Sequence, residues 1–168
     1  MTKSKLKLPN PPKNPLLYLL VLLTTLIVGF FSGSFYSEQQ QFNLPTRATV
    51  ARVIDGDNLE LDNGQSIRLY GVGCPEKGEK FSQEAIDLST KLALNKQITI
   101  DYQPNYSKDR WERLLGYVFI DDSFINEELI RQGYCQVTIY EKRAKLKYQD
   151  ELIQAQEQAK QEKVGVWK

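Results

Sequence analysis

The chain contains no histidine. That absence removes Ser-His-Asp and Cys-His catalysis, His-ligated zinc and any imidazole general base. Its chemistry must therefore rest on carboxylates, arginine, lysine, tyrosine or a bound cofactor. Cysteine is almost as scarce. Cys74 and Cys135 are too few for a disulfide framework or a Cys-only zinc site. They are either two small, partly buried residues or a single Cys74–Cys135 bridge, which an oxidising compartment would permit. A large charge of one sign is also missing. Of 22 Lys+Arg, four (Lys3, Lys5, Lys7 and Lys13) precede the first acid, which leaves 18 basic against 21 acidic residues, a formal −3. A protein that coats duplex nucleic acid non-specifically carries a large positive excess. An enzyme that grips one phosphate locally does not need one.

The 168 residues divide by composition into four parts. Residues 1–15 are basic and rich in proline. Residues 16–36 open with a nearly pure apolar run, Leu16 to Phe31, and approach the ~20 residues that cross a bilayer. Lysines before this run and none directly after it place the N-terminus in the cytoplasm and the remainder beyond the membrane. The segment is read as a transmembrane anchor, with a signal peptide cleaved near Ser32-Gly33-Ser34 as the alternative. The domain is accordingly expected on the extracytoplasmic side, or secreted or periplasmic if the signal is removed. Residues 37–46 read as a polar linker, and residues 47–168 as one domain.

Within that domain, alternating β-branched residues predict strands over 47–54, 59–61 and 66–70. The turns between them are Asp55-Gly56-Asp57-Asn58 and Asp62-Asn63-Gly64. Ser82 is read as the N-cap of a helix running to about Leu94. Strands follow at 97–102 and 114–120. Asn126 is read as the cap of a short helix, Glu127 to Gln132, closed by Gly133. Residues 134–140 look extended. Residues 144–163 form an amphipathic helix with Leu146, Leu152, Ile153, Ala155 and Ala159 inward. Three hairpin-linked strands, a helix, two more strands and trailing helices suggest a small closed β-barrel, most economically an OB-fold.

The stretch that organises the domain is Ile67-Arg68-Leu69-Tyr70-Gly71-Val72-Gly73-Cys74-Pro75-Glu76. A strand delivers Arg68 and the tight loop after it delivers Glu76. A guanidinium grips two phosphoryl oxygens and a carboxylate holds or deprotonates a water, so the pair suits work on a phosphate. The bland alternative for Arg68 is a solvated strand residue.

Five pieces in order then carry a resemblance. They are Val53-Ile54-Asp55-Gly56-Asp57, Arg68-Leu69 to Pro75-Glu76, Asp109-Arg110-Trp111-Glu112-Arg113, Asn126-Glu127 to Arg131-Gln132-Gly133, and Gly165-Val166-Trp167. From Thr46 to Trp167 the chain resembles the staphylococcal nuclease (thermonuclease) family. The resemblance implies a five-stranded OB-fold barrel with three helices, acting as a monomeric domain in calcium-dependent cleavage of phosphodiester bonds in DNA or RNA. It places the catalytic residues at Arg68, Glu76 and Arg113. The metal ligands it implies are Asp57 and the backbone carbonyl of Cys74. Trp111 and Tyr140 are aromatic surfaces on which an unpaired base can stack; for Trp111 the competing reading is packing on the barrel rim.

Four positions depart from the family pattern. Gly73 stands where a second metal-ligating aspartate is usual, Asn58 replaces a threonine, Glu112 replaces a glycine, and the segment Lys77 to Lys80 is short. Hard cations want several oxygen ligands, so the Gly73 departure predicts a weak calcium site. The second functional reading is therefore a degenerate nuclease-like domain that binds nucleic acid or protein without cutting.

Overall fold

A computed structural model describes residues 14–42, 44–140 and 144–168. The basic stretch 1–13, with its lysines, lies outside the described residues. The chain divides into two compact units, one ending at Leu44 and one beginning at Pro45.

The first unit contains helix α1, Pro15–Phe42, so the polar stretch from Ser37 to Phe42 is helical. Its leucines, valines and phenylalanines from Leu16 to Phe31 are exposed. At 1.5 Å per residue that apolar run covers only about 24 Å, against a hydrocarbon core of ~30 Å. Among the described residues no helix is long and apolar enough to cross a membrane. The spanning reading of 16–36 therefore gains no support from the fold.

In the second unit the strands are β1 (Arg47–Asp55), β2 (Asn58–Leu61), β3 (Ser66–Leu69), β5 (Gln97–Tyr102) and β6 (Leu114–Ile120). Antiparallel pairing joins β3, β2, β1, β5 and β6 in that order, and a parallel pairing of β3 with β6 closes the barrel. Closure leaves no open edge among the five. Alternation along the strands sends Val50, Leu59, Leu61, Ile67, Leu69, Ile98, Leu114 and Val118 to the interior, each at most 1 % exposed. Short strands β4 (Val72–Gly73) and β8 (Gln136–Val137) pair outside the barrel, and β7 (Ser123–Phe124) extends β6.

Helices α2 (Ser82–Ala93), α3 (Ile125–Arg131) and α4 (Gln149–Glu162) complete the domain with a 3-10 turn, Gly165–Trp167. Four α-helices are thus described where the resemblance implied three; the fourth is α1, outside the barrel unit. The expected OB-type closed barrel is present.

Several local expectations are corrected. The residue before α2 is Phe81, in the left-handed region (φ 70°), and no side chain caps the helix; the Ser82 hydroxyl instead accepts from the Gly78 amide at 3.3 Å. Asn126 is not a cap but a fully buried strut inside α3. Its carbonyl oxygen accepts from the Val118 amide at 2.9 Å and its amide donates to the Tyr70 carbonyl at 2.9 Å. It satisfies backbone groups that the barrel leaves unpaired, where an apolar residue would orphan them.

The last helix begins at Gln149 rather than Ala144, because side chains on and beside β5 intercept the chain first. Gln103 accepts from the Lys147 amide (2.9 Å) and donates to the Lys145 carbonyl (3.1 Å), and Asp101 takes both Lys147 Nζ and the Tyr148 hydroxyl. Ile153, expected inward, is 36 % exposed.

Two cross-links fix the far ends. Cys74 and Cys135 form a disulfide that spans 61 residues. At the C-terminus, the Val166 amide donates to the Gly133 carbonyl at 2.8 Å. Gly133 and Gly165 both have positive φ (74° and 56°), and a Cβ on Gly165 would sit 2.0 Å from the Gly133 oxygen. Only glycine at both positions lets the two backbones touch.

Candidate active site

The Asp55-Gly56-Asp57 turn projects a carboxylate into the space between β2, β3 and the loop that follows. Asp57 is 3 % exposed. Its Oδ1 pairs with Arg68 Nη1 at 2.6 Å and its Oδ2 accepts from the Cys74 amide at 3.0 Å. Its own amide donates to Asp55 Oδ1 at 3.2 Å, and its carbonyl accepts from the Leu69 amide at 2.8 Å. One residue thus fastens the β1–β2 turn, the end of β3 and the Cys74 loop to each other. Burial pushes the Asp57 carboxyl up to about 7, and neighbouring Asp55 adds to this; Arg68 and the Cys74 amide pull the other way. A cation brought close would favour the ionised form.

Strand register decides which way the arginines face. Ile67 and Leu114 are partners in the parallel β3–β6 pair, and both are fully buried. The next pair, Arg68 and Leu115, therefore lies on the outer face. Arg113 precedes Leu115 by two positions, immediately before β6 begins. Both guanidiniums are about a quarter exposed, Arg68 at 25 % and Arg113 at 24 %. On the other flank of Arg68, the β2–β3 register places Asn58. Asn58 is 7 % exposed and its Oδ1 has no hydrogen-bond partner.

Arg113 is aimed by Asp109. The Asp109 carboxylate takes Arg113 Nε at 2.8 Å, the Arg113 amide at 3.1 Å and the Trp111 amide at 2.8 Å. Burial opposes the charge on Asp109, but these hydrogen bonds outweigh it and hold the carboxyl below its usual range. Glu112 has a positive φ of 62°, a region that glycine adopts most readily. Its carboxylate turns to Lys108 Nζ at 3.1 Å and leaves Arg113 to Asp109. Trp111 is 62 % exposed, with Arg110 Cζ 3.9 Å and Arg113 Cζ 5.1 Å from its ring centroid. It is an exposed ring with two guanidiniums against it, not a packed rim residue.

Glu76 sits on the turn after Pro75. Its amide donates to Glu79 Oε2 at 2.7 Å and its carbonyl accepts from the Glu79 amide at 2.9 Å, which closes the turn. The Glu76 carboxylate itself is exposed and has no hydrogen-bond or ion partner among the described residues. Tyr140 is 42 % exposed at the end of the segment after β8. Among the described residues, no contact joins it to Arg68 or Arg113. Sequence reasoning assigned no task to Asp109, Glu79 or Thr138. Asp109, two residues before a turn amide, carried the Asx-turn signature that would have found it.

The comparisons meet this geometry. A family model described as "Staphylococcal nuclease homologue" matches residues 66–168. The chain belongs to the staphylococcal nuclease family. A thermonuclease of Staphylococcus hyicus is 33 % identical over 127 residues, 70 % of this chain and 73 % of that one. An uncharacterized endonuclease of Escherichia coli O157:H7 is 32 % identical over 124 residues, 70 % of this chain and 74 % of that one. A thermonuclease of Staphylococcus intermedius is 27 % identical over 161 residues and spans 90 % of this chain and 94 % of its own.

The nuclease family implies a calcium ion, and the residues present can be tested against it. The candidate donors are all hard oxygens: the Asp57 carboxylate, the Cys74 carbonyl and the buried, unpartnered Asn58 Oδ1. They fit a hard cation that keeps much of its water. No group of three or more His, Cys, Asp or Glu side chains is clustered for a metal among the described residues. At Gly73 there is no room for a side chain as the backbone stands, since a Cβ there would lie 2.5 Å from Thr138 Oγ1.

Proposed function

We propose that this domain of the nuclease family hydrolyses phosphodiester bonds of single-stranded DNA or RNA, outside the cytoplasm. The observation that supports the reading is the β3–β6 register, which pairs Arg68 with Leu115, two positions after Arg113. Two fixed guanidiniums there meet the negative charge that builds on the equatorial oxygens as water attacks phosphorus. Glu76, an acceptor with no partner, orients that water and takes its proton as the new P–O bond forms. The bond to the leaving oxygen breaks on the opposite side, and Arg113 is the cation assigned to that oxygen. Arg113 cannot give up its proton, so it neutralises rather than protonates. Calcium, held by Asp57 with the Cys74 carbonyl and Asn58, would add Lewis-acid polarisation of the phosphate. Trp111 offers a base-stacking face that paired strands cannot use.

The location rests on two supports. A disulfide suits an oxidising compartment, and an apolar run behind a lysine-rich start in the sequence suits export. The degenerate-binder reading has two observations in its favour, the glycine at position 73 and the formal −3 charge beyond the lysine-rich start.

Glu76→Gln tests the proposal. Because that carboxylate supports nothing in the fold, the variant should melt like the parent while its turnover on single-stranded DNA falls by at least ~100-fold. Arg68→Lys and Arg113→Lys should lose comparable activity through lost bidentate contact. If Glu76→Gln cleaves as fast as the parent, the assignment fails.

A further inference from the structure

Behind the loop that carries Glu76 is a cleft that the catalytic set does not use. Its volume is about 580 Å³, within the ~300–1,000 Å³ of small-ligand sites. The backbone from Gly73 to Pro75 forms one part of its lining, and Lys80, Tyr134 and Gln136 contribute others. Phe81 backs the aromatic side: its ring is 6.3 Å from that of Tyr134, with Lys80 Nζ 4.8 Å from the Phe81 centroid. Phe81 holds this place at a φ of 70°, a conformation that costs a bulky L-residue energy and is kept where the surroundings impose it. Glu79 also lines the cleft, but its carboxylate is engaged by the Glu76 amide at 2.7 Å. The cleft and the catalytic turn are therefore tied to each other through Glu79.

We propose that this cleft binds the base of the nucleotide adjoining the scissile phosphate in a single strand. The inference rests on the nuclease reading above and adds a subsite to it. Pro75 and Glu76 are consecutive, with Cα atoms about 3.8 Å apart, so a phosphodiester attended by Glu76 brings its neighbour to the mouth of the cleft. Tyr134 supplies a face on which any base can stack. The Gln136 carboxamide both donates and accepts, and so can pair with a base edge. Lys80 supplies the only formal positive charge of the lining, beside the path of the strand.

The test is cleavage of single-stranded oligonucleotides in which one abasic position is walked past the cut site, using the whole chain. For the parent, a single position next to the cut bond should cost roughly 10-fold or more in kcat/KM when its base is removed. Tyr134→Leu, which keeps an apolar side chain against Phe81, should cost the same on the intact strand and nothing further on that abasic strand. Gln136→Ala, at an exposed position, should change the preference among the four bases there while melting like the parent. Equal losses for Tyr134→Leu on intact and abasic strands, or no abasic position that matters, would overturn the subsite while leaving the nuclease reading intact. A parent that does not cleave at all overturns both.

Discussion

Replacing Gly73 with aspartate tests the proposal that a carboxylate at this position would serve as a metal ligand, and whether the fold leaves room for one. Gly73 is not in the left-handed region, so its backbone accepts any residue. The obstacle is Thr138, whose Oγ1 would lie 2.5 Å from the new Cβ, with the Gln136 carbonyl at 4.0 Å. Real Cβ atoms do not approach that closely, so either Thr138 rotates or β4 and β8 part. Overpacking of this kind costs about 1–3 kcal/mol. For a domain of this size that corresponds to a fall in Tm of roughly 3–15 °C. Thr138→Ala removes the hydroxyl, so Gly73→Asp/Thr138→Ala should recover most of the loss, with a coupling of about 1–2 kcal/mol between the two positions.

The second readout is calcium. With a second carboxylate in place, saturating calcium should raise the Tm of the double variant by more than that of the parent, and half-maximal cleavage should need ~10-fold less metal. Thermal melts of the four proteins with calcium and with chelator, beside calcium titrations of activity, give both numbers. If Gly73→Asp melts like the parent, the contact with Thr138 is not limiting. If the double variant is no more responsive to calcium than the parent, position 73 does not face the ion.

Three further outcomes follow from other parts of the chain. Replacing both cysteines by serine opens a 61-residue separation, which should cost about 4 kcal/mol by loop-closure entropy, read as a lower urea midpoint that reducing agent no longer shifts. At Asp101, burial opposes ionisation, but hydrogen bonds from Lys147 and Tyr148 prevail and lower its pKa below 3.8. A carboxyl with a depressed folded pKa stabilises above its unfolded value and loses that contribution as pH falls through the folded one. The stability gap between the parent and Asp101→Asn should therefore be constant above roughly pH 5 and close below about pH 4. Finally, protease added to intact spheroplasts should digest the domain; digestion only after lysis would refute the extracytoplasmic location.

The barrel was legible because its signals are local. Alternation marks Arg47–Asp55, Gln97–Tyr102 and Leu114–Ile120, and Asp62-Asn63-Gly64 marks the hairpin. Arg68 and Glu76 were legible for the same reason, as a strand residue and the loop residue after it. What escaped was set by register between distant segments. Thr138 meets Gly73 only because β4 pairs with β8. Asp57 meets Arg68 only because the β2–β3 hairpin folds one back on the other. Asn126 looked like a cap because asparagine before two glutamates is a helix-start pattern. Its real partners, Val118 and Tyr70, are 8 and 56 residues away. The start of α4 moved for a similar reason: amphipathic periodicity runs on through residues 144–148, but Gln103 and Asp101 claim that stretch from across the fold.

The contact between Gly133 and Gly165 has a consequence for timing. The turn after α3, which leads directly into Cys135, is closed by the Val166 amide from beyond α4. Nothing upstream can substitute for that closure, because two other backbones could not come so near. A chain that emerges N-terminus first has every strand of the barrel before Gly165 and Val166 arrive. Closure of the turn after α3 therefore waits for a segment that lies beyond α4, and falls among the later steps of folding.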